Sequence, residues 1–275
     1  MQEHAICVES VDKHFGRNHV LRDLSFKVAP GTTFAFLGRN GTGKTTTIRM
    51  LLGMLKPDIG VVRVLGLDPQ HDPIKLRASI GYLAEDQAMY GWMRAEEIVS
   101  FVAPFYPTWD HELAQRYARQ FDVPLKTKIK HLSKGETVRL GLLLALAHRP
   151  RLVILDDPAL GLDPVMRRQF NQDLVSHLQG EGQTVFYSSH LLHEVEPVAD
   201  EVAILDDGHI VRQGSPEQLR HRVKQLVLSP EAYANFVDAL NVLSVRHVGD
   251  ELAVTVDEAV AAIAAGTQRH RTPRR

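Results

Sequence analysis

Residues 38–46 have the composition and spacing needed to bind phosphate groups. They read GRNGTGKTT and fit the phosphate-binding loop pattern G-x-x-x-x-G-K-[S/T]. Glycines allow successive backbone N–H groups to face an anion, and a following helix adds the positive end of its dipole. In such a loop Lys44 reaches the β- and γ-phosphates, and the Thr45 hydroxyl binds Mg²⁺. The pattern therefore predicts a site for a nucleoside triphosphate.

Two neighbouring carboxylates, Asp156 and Asp157, form a second candidate site. They follow the apolar residues 152–155, which predict a buried strand. An acid at such a strand end holds Mg²⁺ in phosphate-binding-loop proteins, so Asp156 is the predicted metal ligand and Asp157 a candidate base for water. His190 follows another apolar run, residues 184–187, and is therefore expected at the carboxyl edge of the sheet, where α/β proteins bind ligands.

Alternating strand and helix patterns predict the elements that position these residues. The phosphate-binding loop lies between a predicted strand, residues 32–37, and a predicted helix, residues 46–55. Residues 5–11 and 21–28 predict a half-buried antiparallel pair near the start of the chain. We therefore expect an α/β fold with a mostly parallel core sheet and an antiparallel β subdomain.

A mainly helical subdomain is predicted for residues 88–148. Ser133 and Glu136 form a capping box at the start of its last helix, which runs to His148. Six large aromatic residues lie between positions 90 and 109 of this region: Tyr90, Trp92, Phe101, Phe105, Tyr106 and Trp109. Aromatic clusters of this kind either dock a partner or form the core of a small helical subdomain, and composition alone favours the core.

Composition narrows the class of protein. The chain has 275 residues and a net charge of −1, so charge alone predicts no broad nucleic-acid affinity. Its N-terminus lacks the features of a signal peptide, and its longest apolar stretch, residues 140–147, is far shorter than the roughly 18 residues that span a bilayer. We expect one large domain, residues 1–219. A small β-α-β-β-α appendage with a basic tail is expected for residues 220–275.

Taken together, the motifs resemble those of the ATP-binding cassette (ABC) ATPases, over about residues 5–219. Residues 132–136 look like the signature loop, residues 161–163 look like the D-loop, and His190 matches the switch histidine. The resemblance implies binding of ATP and Mg²⁺. It assigns Thr45, Glu85 and Asp156 to the metal, and Glu85, Asp157 and His190 to catalysis. The residues that it assigns to the nucleotide are Phe15, Gly38, Arg39, Asn40, Gly41, Thr42, Gly43, Lys44, Thr45, Thr46, Ser133, Gly135 and Asp163.

Two positions depart from the family pattern. Glu85 stands where the family usually has glutamine, as in the single-cassette ATPases of two-component (ABC-2 type) exporters. Asp157 stands where the usual base is glutamate, and its carboxylate reaches less far by about one C–C bond, roughly 1.5 Å. Because a general base must lie within about 3.2 Å of the proton donor, the shorter side chain predicts slow hydrolysis.

The resemblance also implies partners and a location. Two cassettes, most simply a homodimer, pack head to tail around two ATP molecules and power a separate transmembrane permease that docks near residues 90–121. The chain would then be cytoplasmic and peripheral to the membrane, and no nucleic acid is expected as a partner. A regulatory cassette with weak hydrolysis, or a soluble ABC ATPase acting on nucleic acid or ribosomes, stays open as an alternative.

Overall fold

A computed structural model describes residues 4–158, 182–236 and 241–257, together with Arg167, Leu178 and Gly180. The chain forms two compact units, residues 1–213 and 214–275. This boundary lies before the predicted one after residue 219, because the helix Pro216–Arg222 packs on a strand of the second unit. The predicted helix at residues 165–178 falls largely outside the described residues.

The elements of the described residues follow the predicted alternation, with most boundaries shifted by a few residues. The strands are β1 Ile6–Phe15, β2 Asn18–Val28, β3 Thr33–Gly38, β4 Ile59–Val64, β5 Ile80–Leu83, β6 Leu152–Asp156, β7 Thr184–Ser189, β8 Glu201–Asp206, β9 His209–Gly214, β10 Val223–Leu228, β11 Asn241–Val248 and β12 Glu251–Asp257. The α-helices are α1 Lys44–Leu51, α2 Pro73–Arg77, α3 Ala95–Val102, α4 His111–Gln120, α5 Lys134–Leu146, α6 Leu192–Val195, α7 Pro216–Arg222 and α8 Pro230–Phe236.

The core of the first unit is a six-stranded sheet in the order β5-β6-β7-β3-β8-β9. The strands from β5 to β8 in this order run parallel. Strands β6 and β7 are buried along their whole length, as expected for parallel strands covered on both faces. Because parallel strands end at the same edge, this register brings Gly38, Asp156 and Ser189 to one side of the sheet.

A second, antiparallel sheet in the order β2-β1-β4 packs on the core through aromatic rings. The Phe26 ring of β2 lies 5.5 Å from that of Phe34 and 6.0 Å from that of Phe186, centroid to centroid. Such stacked contacts between buried rings add to the free energy gained by burying apolar surface. The predicted antiparallel pair is confirmed.

In the helical subdomain between β5 and β6, two helices begin where the capping residues predict. Asp110 accepts a hydrogen bond from the Leu113 N–H at 2.8 Å and starts α4. Ser133 and Glu136 form the predicted capping box at the start of α5. The aromatic residues divide between two environments: Tyr90, Trp92, Phe101 and Phe105 are exposed, and Tyr106 and Trp109 are partly buried.

His148 is a buried titratable residue at the end of the α5 segment. Its ring stacks on Tyr106 at 4.0 Å, and its Nε2 lies 3.2 Å from the Ile80 carbonyl oxygen. Burial lowers the pKa of His148 below its ordinary value, and two backbone carbonyls oppose that shift only partly. The unfolded chain therefore binds a proton at this residue more readily than the folded chain.

We expect this histidine to destabilise the fold at acidic pH. Its contribution to the free energy of unfolding is intact above the unfolded pKa of about 6.5 and falls as the pH drops below that value. A His148→Gln variant keeps a donor for the Ile80 carbonyl but does not titrate, so its unfolding temperature should fall less between neutral and mildly acidic pH. An exposed control, His111→Gln, should retain the wild-type slope; equal slopes for all three proteins would contradict the assignment.

The second unit contains a three-stranded antiparallel sheet in the order β10-β12-β11. Leu252 and Val254 of the central strand form its core with partly buried residues of β10, α8 and β11: Leu226, Leu228, Tyr233 and Val242. The predicted hairpin between β11 and β12 is confirmed, since Val248 pairs with Glu251 across the turn. The predicted helix at residues 257–265 lies outside the described residues except for Asp257, which is the last residue of β12.

Candidate functional site

Two glycines of the phosphate-binding loop, Gly38 and Gly43, lie where neighbouring elements leave no room for a side chain. A Cβ on Gly43, where φ is 111°, would lie 2.5 Å from Leu21 Cδ2 of β2. A Cβ on Gly38 would lie 2.6 Å from Thr42 Oγ1 and 2.7 Å from the Leu205 carbonyl oxygen of β8. The loop is therefore held between β2 and β8, and each of these glycines is required by close approach.

Lys44 is held over the loop by two backbone carbonyls. Its Nζ donates to Gly38 O at 2.6 Å and to Arg39 O at 3.1 Å. Burial lowers the pKa of Lys44. The carboxylates of Asp157, Asp156 and Glu85 oppose that shift, and Asp157 has the largest opposing effect. Helix α1 begins at Lys44, and no acidic residue lies in its first turn. The helix N-terminus therefore presents positive charge and N–H groups suited to an anion.

One cavity of about 230 Å³ brings most of the predicted site residues together. The described residues lining it are Val20, Asn40, Gly41, Gly43, Lys44, Thr45, Thr46, Glu85, Asp156 and Asp157. Val20 of β2 was not predicted, because nothing in its local sequence places it beside the phosphate-binding loop. The cavity combines one ammonium group, a helix N-terminus and three carboxylates, a set that can hold a polyphosphate together with a cation.

The oxygen donors in this cavity fit Mg²⁺. Thr45, Glu85 and Asp156 offer hydroxyl and carboxylate oxygens, and Mg²⁺ is usually held by one or two carboxylates together with the phosphates of a substrate. Within the part of the chain that the structure describes, no three His, Cys, Asp or Glu side chains form a metal site by themselves. A metal here would accordingly share its ligands between the protein and a bound nucleotide.

Asp156 and Glu85 are electrostatically suited to a cation. Asp156 is buried, and its Oδ1 accepts a hydrogen bond from Ser188 Oγ at 2.6 Å. Burial raises the pKa of Asp156, and the charge of Asp157 adds to that rise, although the Ser188 hydrogen bond opposes it. Partial burial is the main cause that raises the pKa of Glu85, and repulsion from Asp156 and Asp157 raises it further. A bound cation would relieve the repulsion among these carboxylates.

Asp157 contacts His190 directly. Its Oδ2 lies 2.6 Å from His190 Nδ1, and its backbone N–H donates to Ser188 O at 3.1 Å. Asp157 has a left-handed backbone with φ of 44° and is only 7% exposed. His190 also lines a neighbouring cleft of about 350 Å³ with Gly38. The structure thus joins the candidate base and the predicted switch histidine in one hydrogen-bonded pair.

Several residues assigned by resemblance lie apart from this cavity. Phe15 is half-exposed at the end of β1, with Lys13 Nζ 5.6 Å from its ring centroid. Ser133 is the N-cap of α5, Gly135 lies in its first turn, and neither lines the cavity. Asp163 lies outside the described residues. The cavity therefore brings together only part of the residue set that the resemblance assigns to the nucleotide.

Comparison with known proteins identifies the family. The sequence profile described as "ABC transporter" matches residues 21–160, just over half of the chain. The chain belongs to the ABC transporter family. The matched segment contains the phosphate-binding loop, the signature-like residues 132–136 and both strand-end acids, so the resemblance noted from the motifs is confirmed.

Individual ABC relatives match over most of their lengths. The linearmycin resistance ATP-binding protein LnrL of Bacillus subtilis is 32% identical over 260 residues, covering 91% of this chain and 81% of LnrL. The bacitracin transport ATP-binding protein BcrA of Enterococcus faecalis is 29% identical over 224 residues, covering 81% of this chain and 73% of BcrA. This chain is accordingly an ATP-binding subunit that powers an ABC transporter.

A solved ABC structure confirms the fold. The structure described as the ATP-binding subunit of an ABC transporter superposes with a TM-score of 0.71 and 26% identity, covering 79% of this chain and 92% of that one. The predicted α/β class with its mostly parallel core is therefore correct. In the described part of this ABC chain, no helix is long and apolar enough to cross a membrane.

Proposed function

We propose that this chain is the magnesium-dependent ATPase of a two-component exporter. The observation that carries the proposal is the meeting of Lys44, Thr45, Glu85, Asp156 and Asp157 around one cavity at the carboxyl edge of the sheet. The names of two relatives, a linearmycin resistance protein and a bacitracin transport protein, support export as the direction. The transported molecule would be selected by the membrane subunit.

Each group has a role that follows from its position. Lys44 would bind the β- and γ-phosphates, and Thr45, Asp156 and Glu85 would hold Mg²⁺, which when bound would neutralise phosphate charge. Asp157 accepts a proton from the attacking water. His190 holds the Asp157 carboxylate through the 2.6 Å contact and so orients it at the edge of the cavity.

Hydrolysis at this site is slow in our proposal. Asp157 is one methylene shorter than glutamate, and one of its oxygens already contacts His190. Its backbone is also constrained by the bond to Ser188 O, so the carboxylate is poorly placed to advance toward water. Chains bound to ATP would therefore remain associated longer than in an enzyme with a full-length base.

Two chains complete the site by packing head to tail. Ser133 and Gly135 of one chain would face the ATP phosphates bound to the loop of the other. ATP then contacts both chains and favours the closed pair, and its hydrolysis removes that preference. The separation of Ser133 from the cavity within one chain supports this arrangement, since the donors at the start of α5 need another chain's nucleotide.

An exposed aromatic surface supports docking to a membrane subunit at the cytoplasmic face. Tyr90 lies 6.0 Å from Trp92 and 5.9 Å from Phe101, and Phe101 lies 5.6 Å from Phe105, centroid to centroid. Trp92 is 69% exposed and Phe105 67%. Contiguous exposed rings of this kind are characteristic of interaction sites, where aromatic anchors dominate the binding energy.

Removing the aromatic anchors should detach the chain from its membrane partner. We expect a Trp92→Ala, Phe105→Ala variant to bind membranes of the source cells at least about tenfold more weakly, with turnover of the isolated chain unchanged. Ile74→Ala, which truncates an exposed side chain on α2, is the matched control. Equal membrane binding by all three proteins would contradict docking at this surface.

Replacing Glu85 with glutamine tests the metal site. The amide is a weaker Mg²⁺ ligand and removes one of three mutually repelling carboxylates. We therefore expect a several-fold higher Mg²⁺ concentration for half-maximal turnover, together with tighter ATP binding when Mg²⁺ is chelated. Asp86→Asn makes the same change of charge at the next position, which does not line the cavity, and should leave both values close to wild type. Identical behaviour of the two variants would rule out Glu85 as a ligand.

A regulatory cassette is the second candidate. The contact between Asp157 and His190 favours this candidate. If the Asp157 carboxylate stays hydrogen-bonded to His190, the cassette can bind ATP without activating water. This candidate predicts ATP binding with no turnover that any substitution at Asp157 can raise.

A further inference from the structure

The start of α5 contains a contact that restrains the serine of the signature-like loop. We propose that Glu136 holds Ser133 in a closed hydrogen-bonded form and thereby sets how much ATP is needed to bring two chains together. This inference rests on the proposed head-to-tail pair, in which Ser133 faces the nucleotide of the second chain. Glu136 acts through Ser133 and is a positioning residue.

One carboxylate oxygen accepts both donors of Ser133. Glu136 Oε2 lies 2.7 Å from Ser133 N and 2.8 Å from Ser133 Oγ, and the Glu136 N–H donates to the same Oγ at 3.2 Å. Hydrogen bonds from the Ser133 backbone and side chain lower the pKa of Glu136, and Arg139 adds to that shift. Glu136 therefore carries its negative charge at neutral pH.

This arrangement opposes phosphate binding in two ways. A serine hydroxyl has one proton, so while Ser133 Oγ donates to Glu136 it cannot donate to a phosphate oxygen. The carboxylate also offsets the positive end of the α5 dipole and repels an approaching phosphate. Because Ser133 is exposed, a nucleotide on a second chain can reach it only by competing with Glu136 for the same donor.

Two substitutions at Glu136 test this restraint. Glutamine also serves at this position of a capping box, so Glu136→Gln keeps the cap, removes the charge and lets its amide donate to Ser133 Oγ. The ATP concentration for half-maximal pairing should then fall about threefold or more, which corresponds to an exposed charge interaction. Glu136→Ala removes the competing acceptor together with the charge, so the ATP concentration for half-maximal pairing should fall in this variant as well.

The experiment measures the mass of the full chain by light scattering during titration with Mg²⁺ and ATP. Asp157→Asn is present in every protein, so that hydrolysis does not consume the paired form. Glu97→Gln is the matched control, because Glu97 accepts from the Arg94 N–H at 2.6 Å in the equivalent cap of α3. We expect a lower ATP concentration for half-maximal pairing with Glu136→Gln and with Glu136→Ala, and no change with Glu97→Gln.

The outcomes distinguish this inference from the function on which it rests. If the parent protein never pairs with ATP, the head-to-tail proposal fails. If the parent pairs but Glu136→Gln requires as much ATP as the parent or more, Glu136 does not restrain Ser133. If Glu97→Gln lowers ATP demand equally, the effect belongs to surface charge in general and the inference is wrong.

Discussion

Replacing Lys44 with alanine is expected to lower ATP turnover by about 10²–10³-fold, the usual cost of removing one group that stabilises transition-state charge. Lys44 Nζ lies at the start of α1 above the carbonyls of Gly38 and Arg39 and lines the cavity with three carboxylates. Its loss leaves no ammonium group among the described residues that line the cavity to balance those carboxylates and the phosphates. The measurement is steady-state phosphate release at saturating Mg²⁺ and ATP.

Two further variants show whether a loss of turnover comes from the missing ammonium group or from loss of the fold. Lys44→Met keeps most of the buried apolar stem, so its unfolding temperature should stay near wild type although its turnover falls as far as that of Lys44→Ala. Lys56→Ala removes an exposed lysine from the turn after α1 and should leave turnover unchanged. Turnover by Lys44→Met within about tenfold of wild type would remove Lys44 from the catalytic account.

Replacing Asp157 with glutamate is expected to raise turnover by about tenfold or more, since a well-placed general base contributes about 10²–10⁴-fold. The added methylene extends the carboxylate beyond its contact with His190 and toward water. The left-handed backbone at residue 157 tolerates aspartate better than glutamate, so the same change should lower the unfolding temperature slightly.

Asp157→Asn is the matched control for Asp157→Glu and should have the opposite effect on turnover. Asp157→Asn suits the same backbone and keeps a hydrogen-bonding partner for His190, but it cannot accept the proton. Its turnover should fall well below wild type. If the asparagine and glutamate variants both match wild type, Asp157 is not the base. If no variant turns over although ATP binds, the regulatory candidate replaces the proposed ATPase.

Local sequence patterns predicted the elements that hold the site. These patterns are local, because each one determines the structure of residues that lie only a few positions away. They are the glycine spacing of residues 38–46, the apolar run before Asp156 and the capping residues Asp110 and Ser133. Helix starts and strand ends could therefore be predicted without knowing the rest of the fold. The mostly parallel order followed from the same alternation of strands and helices.

Contacts between distant segments could not be predicted in this way. Leu21 of β2 and Leu205 of β8 lie close to the phosphate-binding loop, and no local sequence pattern predicts these contacts. Asp157 and His190 are 33 positions apart, and their hydrogen bond depends on the neighbouring placement of β6 and β7. Exposure of Trp92 and Phe105 likewise depends on which faces the helical subdomain buries, so composition favoured a core where the structure has a surface.

The most direct test of the central claim is ATP turnover per chain measured across a wide range of chain concentrations at saturating Mg²⁺ and ATP. If the ATPase site is completed by two chains, turnover per chain should be near zero in dilute solution, rise with chain concentration and reach a plateau. Adding excess Lys44→Ala chains should change that curve, because mixed pairs contain a defective site. Turnover that is constant per chain at every concentration would contradict the two-chain account.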